Sequence, residues 1–303
     1  MRSERTRGLS PERTRGPQGG SWRLFSVKIT ALYCTISALS KTKNPELSGV
    51  FGFSVNVGYN TATVAKGNYK AFAVHFSPVE NPTAGISVSN LFAISSITGV
   101  AAWGGTMDQV WRWDTTENGW VKYGYQKPRN GTAAWRKYDA NAKTFSELAS
   151  ADAVLPGETF LYFRGGSATA TLTLSGAVKE VTASPTYTIA KGNYQFVARP
   201  WPVGFKLSDL DEIATWSAIT GVAAWGGTMD QIWRWDTTSN GWTKYGYQKP
   251  RNGTAAWRKY DASEKTFSEL ADADAIAADE GFLYFRGGSA TLTLTFKALQ
   301  PTE

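Results

Sequence analysis

The chain has 303 residues, of which 42% are hydrophobic, 14% aromatic and 19% charged, and it carries a formal charge of +7. That length and composition predict globular domains each able to bury a core, and they exclude a wholly disordered chain. One Cys and one His exclude an internal disulfide framework, a Cys/His zinc site and most imidazole-dependent catalysis.

Residues 1–50 differ from the rest. They hold nine Lys/Arg and three acids, which is +6 of the +7, so the remaining 253 residues are close to neutral. A basic groove tracking phosphates is therefore not expected in the body, and no nucleic-acid partner is expected. MRSERTRGLSPERTRGPQGG has almost no large apolar residues and predicts a disordered basic tail. The apolar stretch within 27–40, with Lys28 ahead of Ile29–Leu39 and small residues near Ser40, has the length of a signal-peptide core. Two readings stand: an export signal whose translation starts near Val27, or an ordinary disordered tail. Residues 31–34, Ala-Leu-Tyr-Cys, lack the spacing of a lipoprotein signal, so Cys34 is read as incidental. No run of about 18 apolar residues exists, and no transmembrane helix is expected.

The body is a tandem repeat. Ile97–Thr169 and Ile219–Thr291 align at an offset of 122 with 11 mismatches over 73 positions. The match extends back, at an offset of 125, to VAKGNY (Val64–Tyr69) and IAKGNY (Ile189–Tyr194), and between these anchors the copies diverge. Each copy is far longer than a solenoid repeat. The predicted domains are 51–178 and 179–303.

In chain order, strands are predicted near Val55–Ala65, Tyr69–Phe76, Gln109–Asp114, Trp120–Gln126, Ala134–Tyr138, Phe160–Arg164 and Thr169–Ser175, with twins in the second copy. Asn118-Gly119 and Asn130-Gly131 predict tight turns. Short helices are predicted near Ser89–Ser95 and after Thr144, where Thr144-x-x-Glu147 has the capping-box form. The fold class expected is all-β: two tandem β-sandwich or small-barrel domains, each with one or two short helices.

Aromatics lead the candidates for function. Trp103 and Trp225 sit in the glycine loop AAWGGT, where an exposed indole can stack on a sugar ring. Trp120 and Trp242 follow the Asn-Gly turns and are taken as further ligand-binding candidates. Trp111 and Trp113 share a strand face at period two and are read as core. Asp108, Asp114, Asp139, Glu147, Asp152 and Glu158 all have twins, but a glycosidase needs two carboxylates about 5–10 Å apart across a cleft. Asp114 is more simply a turn residue, and Glu147 a cap. DTTENG opens like a calcium loop, but Tyr125 stands where a bidentate Glu belongs. His75 aligns with Pro200 and is read as a strand surface residue. The Gly-Gly pairs lack the phosphate-loop pattern. No catalytic residue, metal or cofactor is expected.

VGYNTATVAKGNYKAFAVHF, DQVWRWDTTENGWVKY and LPGETFLYFRGG together resemble a repeat of uncharacterised bacterial proteins thought to be exported. The resemblance spans about residues 54–299. It implies an all-β fold and a secreted or cell-surface location, and it carries no known activity. Trp-Asp followed by Thr-x-Asn-Gly-Trp also resembles one hairpin of a kelch blade, but a period of 122 does not fit the kelch repeat of about 50. The sequence thus points to a non-enzymatic exported protein that binds polysaccharide through aromatics. The alternatives are a structural envelope or matrix protein with an envelope partner, and a carboxylate-dependent glycoside hydrolase.

Overall fold

A computed structural model describes residues 57–78, 81, 84–93, 96–100, 107–149, 152–178, 186–222, 228–271 and 274–297. The predicted disordered tail, the apolar stretch within 27–40 and Cys34 lie outside these residues.

The first half contributes β1 (Val57–Val64), β2 (Tyr69–Ala73), β3 (Phe76–Ser77), β4 (Ile86–Ser87), β5 (Gln109–Asp114), β6 (Gly119–Gln126), β7 (Ala134–Asp139), β8 (Thr144–Leu148), β9 (Ala153–Val154), β10 (Thr159–Phe163) and β11 (Ala170–Val178). The second half contributes β12 (Thr186–Ile189), β13 (Tyr194–Val197), β14 (Phe205–Lys206), β15 (Ala214–Trp216), β16 (Gln231–Asp236), β17 (Gly241–Gln248), β18 (Ala256–Asp261), β19 (Thr266–Leu270), β20 (Ala275–Ile276), β21 (Phe282–Phe285) and β22 (Leu292–Phe296). Single 3-10 turns stand at Val88–Asn90 and Leu207–Asp209, the second running into the one-turn helix α1 (Leu210–Ile213). The protein is all-β with few, short helices.

Each half pairs a three-stranded sheet with a six-stranded one. The orders are β1-β11-β3 and β2-β10-β5-β6-β7-β8 in the first half, and β12-β22-β15 and β13-β21-β16-β17-β18-β19 in the second. All these ladders are antiparallel. Strand β1 alternates exposed and buried from Tyr59 to Val64, which a sheet with one solvated face requires. Its Ala62 and Val64, with Leu172 and Leu174 of β11, meet Phe72, Val110, Tyr123, Phe160 and Tyr162 of the larger sheet in one core. The second half has an equivalent core around Ile189, Ile232, Tyr245, Phe282, Tyr284 and Leu294.

Strand β10 is buried on both faces: Phe160 and Tyr162 enter that core, whereas Leu161 enters a separate apolar cluster. That separate cluster joins the halves.

One ion pair staples each sandwich. The buried Asp108 carboxylate accepts hydrogen bonds from Arg164 Nη1, from the Thr98 amide at 2.7 Å, and from the Gly165 and Gly166 amides at 2.8 and 3.2 Å. Asp230 does the same with Arg286, Thr220, Gly287 and Gly288. A buried charge survives only with such partners. Gly165 is obligatory, because a Cβ there would strike the Met107 backbone. The Arg-Gly-Gly motif is thus structural.

Three sequence expectations are corrected. Thr144 opens strand β8 rather than a helix. Lys143 holds a positive φ of 51° and turns the chain back, so that β8 pairs with β7 through Asp139↔Thr144. Cross-strand pairing in the β7–β8 hairpin overrides the local capping pattern. His75 is buried rather than on the surface: only 3% of it is exposed, and its Nε2 lies 2.7 Å from the Ala278 carbonyl of the other half. The helix expected at Ser89–Ser95 is the short 3-10 turn Val88–Asn90, and residues 94 and 95 lie outside the described set.

Candidate functional site

The candidate site grows out of the joint between the halves. In β5 the period of two puts Trp111 and Trp113 on the face away from the core, and the register sets Trp113 opposite Trp120 of β6. Six tryptophans (Trp111, Trp113, Trp120, Trp233, Trp235, Trp242) gather there with Tyr69, Tyr194 and Phe196. The contacts run in reciprocal pairs. Tyr69 meets Trp235 edge-on with ring centroids 5.1 Å apart, and Tyr194 meets Trp113 at 5.5 Å. The Tyr69 amide donates to Asn240 Oδ1 and the Tyr194 amide to Asn118 Oδ1, both at 3.1 Å. Asn118 and Asn240 have φ of 45° and 50°, which asparagine tolerates better than most residues. The predicted turn residues are also hooks onto the opposite half. Lys122 and Lys244 flank the seam, each ammonium 4.0 Å from a ring centre, of Trp111 and Trp233 respectively.

The seam is not symmetric in sequence. Ala71 and its twin Phe196 belong to the same cluster, and the Phe196 ring touches both Trp120 and Trp242. Thr159 meets its own twin, Gly281: a Cβ on Gly281 would collide with the Thr159 side chain. Lys70 forms an ion pair with Asp279 at 3.0 Å, whereas the equivalent positions in the other direction are Gln195 and Gly157.

That difference leaves a cleft of about 320 Å³ on one side of the seam. The first half supplies Arg112, Trp113, Tyr123, Lys137, Asp152 and Glu158 to its walls, and the second half supplies Tyr187, Gln195 and Phe196. Arg112 Nη2 donates to Glu158 Oε2 at 3.0 Å, and the Leu155 amide donates to the same oxygen at 3.0 Å. The Tyr123 hydroxyl bonds with Arg112 and Asp152, and burial pushes its pKa up to about 12, so it stays protonated at neutral pH. Tyr187 is anchored by its hydroxyl, 2.7 Å from the carbonyl oxygens of Gly157 and Ala198. Asp114, at the rim, accepts the Thr116 and Glu117 amides at 2.8 and 3.1 Å. Chemically this is a charged, amide- and hydroxyl-bearing wall beside an indole.

The second half repeats the network with Arg234 bonded to Glu280, but there the carboxylate is covered. The Glu158 side chain is 37% exposed and the Glu280 side chain 8%. Burial raises the Glu280 pKa, against the pull of Arg234 and Lys70.

Of the sequence candidates, Trp120 and Trp242 are half-buried and packed in the seam. Trp103 and Trp225 lie outside the described residues. Trp113 is the indole that lines the cleft. Arg112, Lys137, Tyr187, Gln195 and Phe196 were not singled out from the sequence. The signal that could have found the last two is difference rather than identity, because Gln195 and Phe196 stand where the first copy has Lys70 and Ala71. Among the described residues no cluster of three or more His, Cys, Asp or Glu could hold a metal ion, and no helix is long and apolar enough to cross a membrane. No protein-family model, no curated protein and no solved structure matches this chain.

Proposed function

We propose that the protein is a non-enzymatic carbohydrate-binding protein that acts outside the cell or at its surface. The aromatic-rich all-β body is compatible with carbohydrate binding, and the open cleft at the seam carries the reading. It sets an indole beside side chains that donate and accept hydrogen bonds, groups suited to the hydroxyls and ring face of a sugar. Binding rather than turnover is supported by the carboxylates, each of which already holds a structural partner: Glu158 pairs with Arg112, Asp152 bonds Tyr123, and Asp114 caps a turn. Export is supported by the apolar stretch after Lys28 and by the resemblance of the repeat. Trp103 and Trp225 remain proposed stacking residues of their glycine loops.

The test is retention of the full chain on a panel of insoluble and immobilised polysaccharides. Specific retention supports the reading, and a folded sample that no polysaccharide retains overturns it. Weaker retention of W103A/W225A would place part of the binding in those loops. A purely structural envelope protein is the second reading, favoured by the six tryptophans packed in the seam. It predicts no retention on any polysaccharide. Turnover of a glycoside that is lost in Glu158→Gln would overturn the non-enzymatic assignment.

A further inference from the structure

We propose that the protein binds one short, uncharged glycan segment per chain, in the cleft between its halves, and that the equivalent place in the second half is shut by the first half's own strand β2. This inference rests on the carbohydrate reading above.

Duplication by itself leads one to expect two sites. The structure shows two similar networks with different access. On the second side the Lys70 ammonium bonds Asp279 Oδ2 at 3.0 Å, the Ala73 amide donates to the Asp279 carbonyl at 3.0 Å, and His75 Nε2 reaches the Ala278 carbonyl at 2.7 Å. Together these lay β2 over Glu280. At the aligned positions the first side has Gln195, Ala198 and Pro200 in place of Lys70, Ala73 and His75, and Pro156 and Gly157 in place of Ala278 and Asp279. No ion pair forms there, and the cleft stays open.

The lining defines the ligand class. Trp113 Nε1, Thr159 Oγ1 and Gln195 Oε1 belong to cleft residues and are buried without a hydrogen-bond partner. They comprise a donor, a hydroxyl that can do either, and an acceptor. A sugar hydroxyl both donates and accepts, so it can serve all three types, and leaving such atoms unpaired is costly. Arg112 is neutralised by Glu158. Beside that pair the lining carries one lysine, Lys137, and two further carboxylates, Asp114 and Asp152, so its charge does not favour a uronate or sulfate. A volume at the low end of the usual range of about 300–1,000 Å³ suits a short segment. Because both halves build the walls, the site exists only when they are joined.

The experiment is carbodiimide labelling of carboxylates in the full chain, read by peptide mass spectrometry. It is run alone and with cellohexaose, xylohexaose, chitohexaose or hexagalacturonate, and calorimetry gives the stoichiometry. Without sugar, Glu158 should label several-fold faster than Glu280. Lys70→Ala should raise Glu280 labelling towards that of Glu158. A neutral hexasaccharide should slow Glu158 labelling several-fold, leave Glu280 unchanged and bind once per chain. Gln195→Ala should weaken that binding about tenfold, the scale of one lost hydrogen bond, with the thermal midpoint unchanged. Equal labelling of Glu158 and Glu280 overturns the inference whatever the sugar does. So do two sugars per chain, or protection by hexagalacturonate alone. Retention on a polysaccharide without protection of Glu158 by any of the four sugars overturns the inference and leaves the carbohydrate reading standing. Absence of retention on every polysaccharide overturns both.

Discussion

Glu158 and Glu280 occupy the same place in two copies of one fold, and each is bonded to the arginine of the neighbouring strand. One side chain is more than a third exposed and the other is covered. The copies differ beside these carboxylates and across the seam. Lys70 of β2 pairs with Asp279, whereas the aligned positions on the other side hold Gln195 and Gly157. Thr159 stands against Gly281, its own twin. Near-identical halves in reciprocal contact can therefore differ in access through a few positions at the seam where the copies differ.

Four predictions would break or sharpen this comparison. Phe196→Ala should have the largest effect, since the ring bridges Trp120 and Trp242. A loss of about 3 kcal/mol or more is expected for a buried phenylalanine, read as a fall in the urea midpoint. The reciprocal Ala71→Phe should also destabilise, because Ala71 is buried in the same cluster and a larger ring there overpacks it. A neutral result in both would mean that the seam does not hold the halves together.

Gly281→Thr comes next. Its new side chain would meet Thr159, and overpacking of this kind costs about 1–3 kcal/mol. Adding Thr159→Gly should restore most of the loss. Failure of that rescue would show that the two positions do not oppose each other.

Asn118→Ala removes the bond from the Tyr194 amide, Asn240→Ala removes the bond from the Tyr69 amide and a second one donated to the Gly67 carbonyl at 3.3 Å, and both place alanine at a positive φ. About 1–2 kcal/mol each is expected, with the larger loss at Asn240. A larger loss at Asn118 would show that the second bond does not contribute.

The pH dependence should be smallest. Burial lowers the His75 pKa, partly offset by the Ala278 and Pro200 carbonyls and by Asp279. The unfolded chain then binds a proton at a higher pH than the folded one, so this contribution is complete above about pH 6.5 and declines as pH falls towards the lowered folded value. The slope cannot exceed about 1.4 kcal/mol per pH unit for one proton. Thermal midpoints at several pH values should show it, and His75→Gln should flatten the curve.

Much of the architecture was legible from local pattern. The period of two placed Trp111 and Trp113 on one face, and β5 spans Gln109–Asp114 as read. Asp114 and Asn118, with the twin Asn240, marked their turns by local hydrogen bonding and positive φ, and Asn130-Gly131 also falls in a turn, though without a positive φ. Strand β8 was not legible, because its strand state comes from pairing with β7 rather than from its own residues. His75 was misread for the same kind of reason, since what buries it comes from the other half of the chain.

The sequence by itself determined that the body is all-β, nearly neutral and duplicated, and where most strands and turns fall. Those properties rest on composition and on interactions within a few residues. Only the tertiary structure decided which aromatics of one half meet those of the other, which carboxylate stays open and where a ligand could enter. These depend on contacts between residues far apart in the chain, 76 positions for Asn118 and Tyr194 and 171 for Tyr69 and Asn240, and at the seam they depend on the residues at which the copies differ. A pattern read along one strand carries no information about the surface that strand will meet.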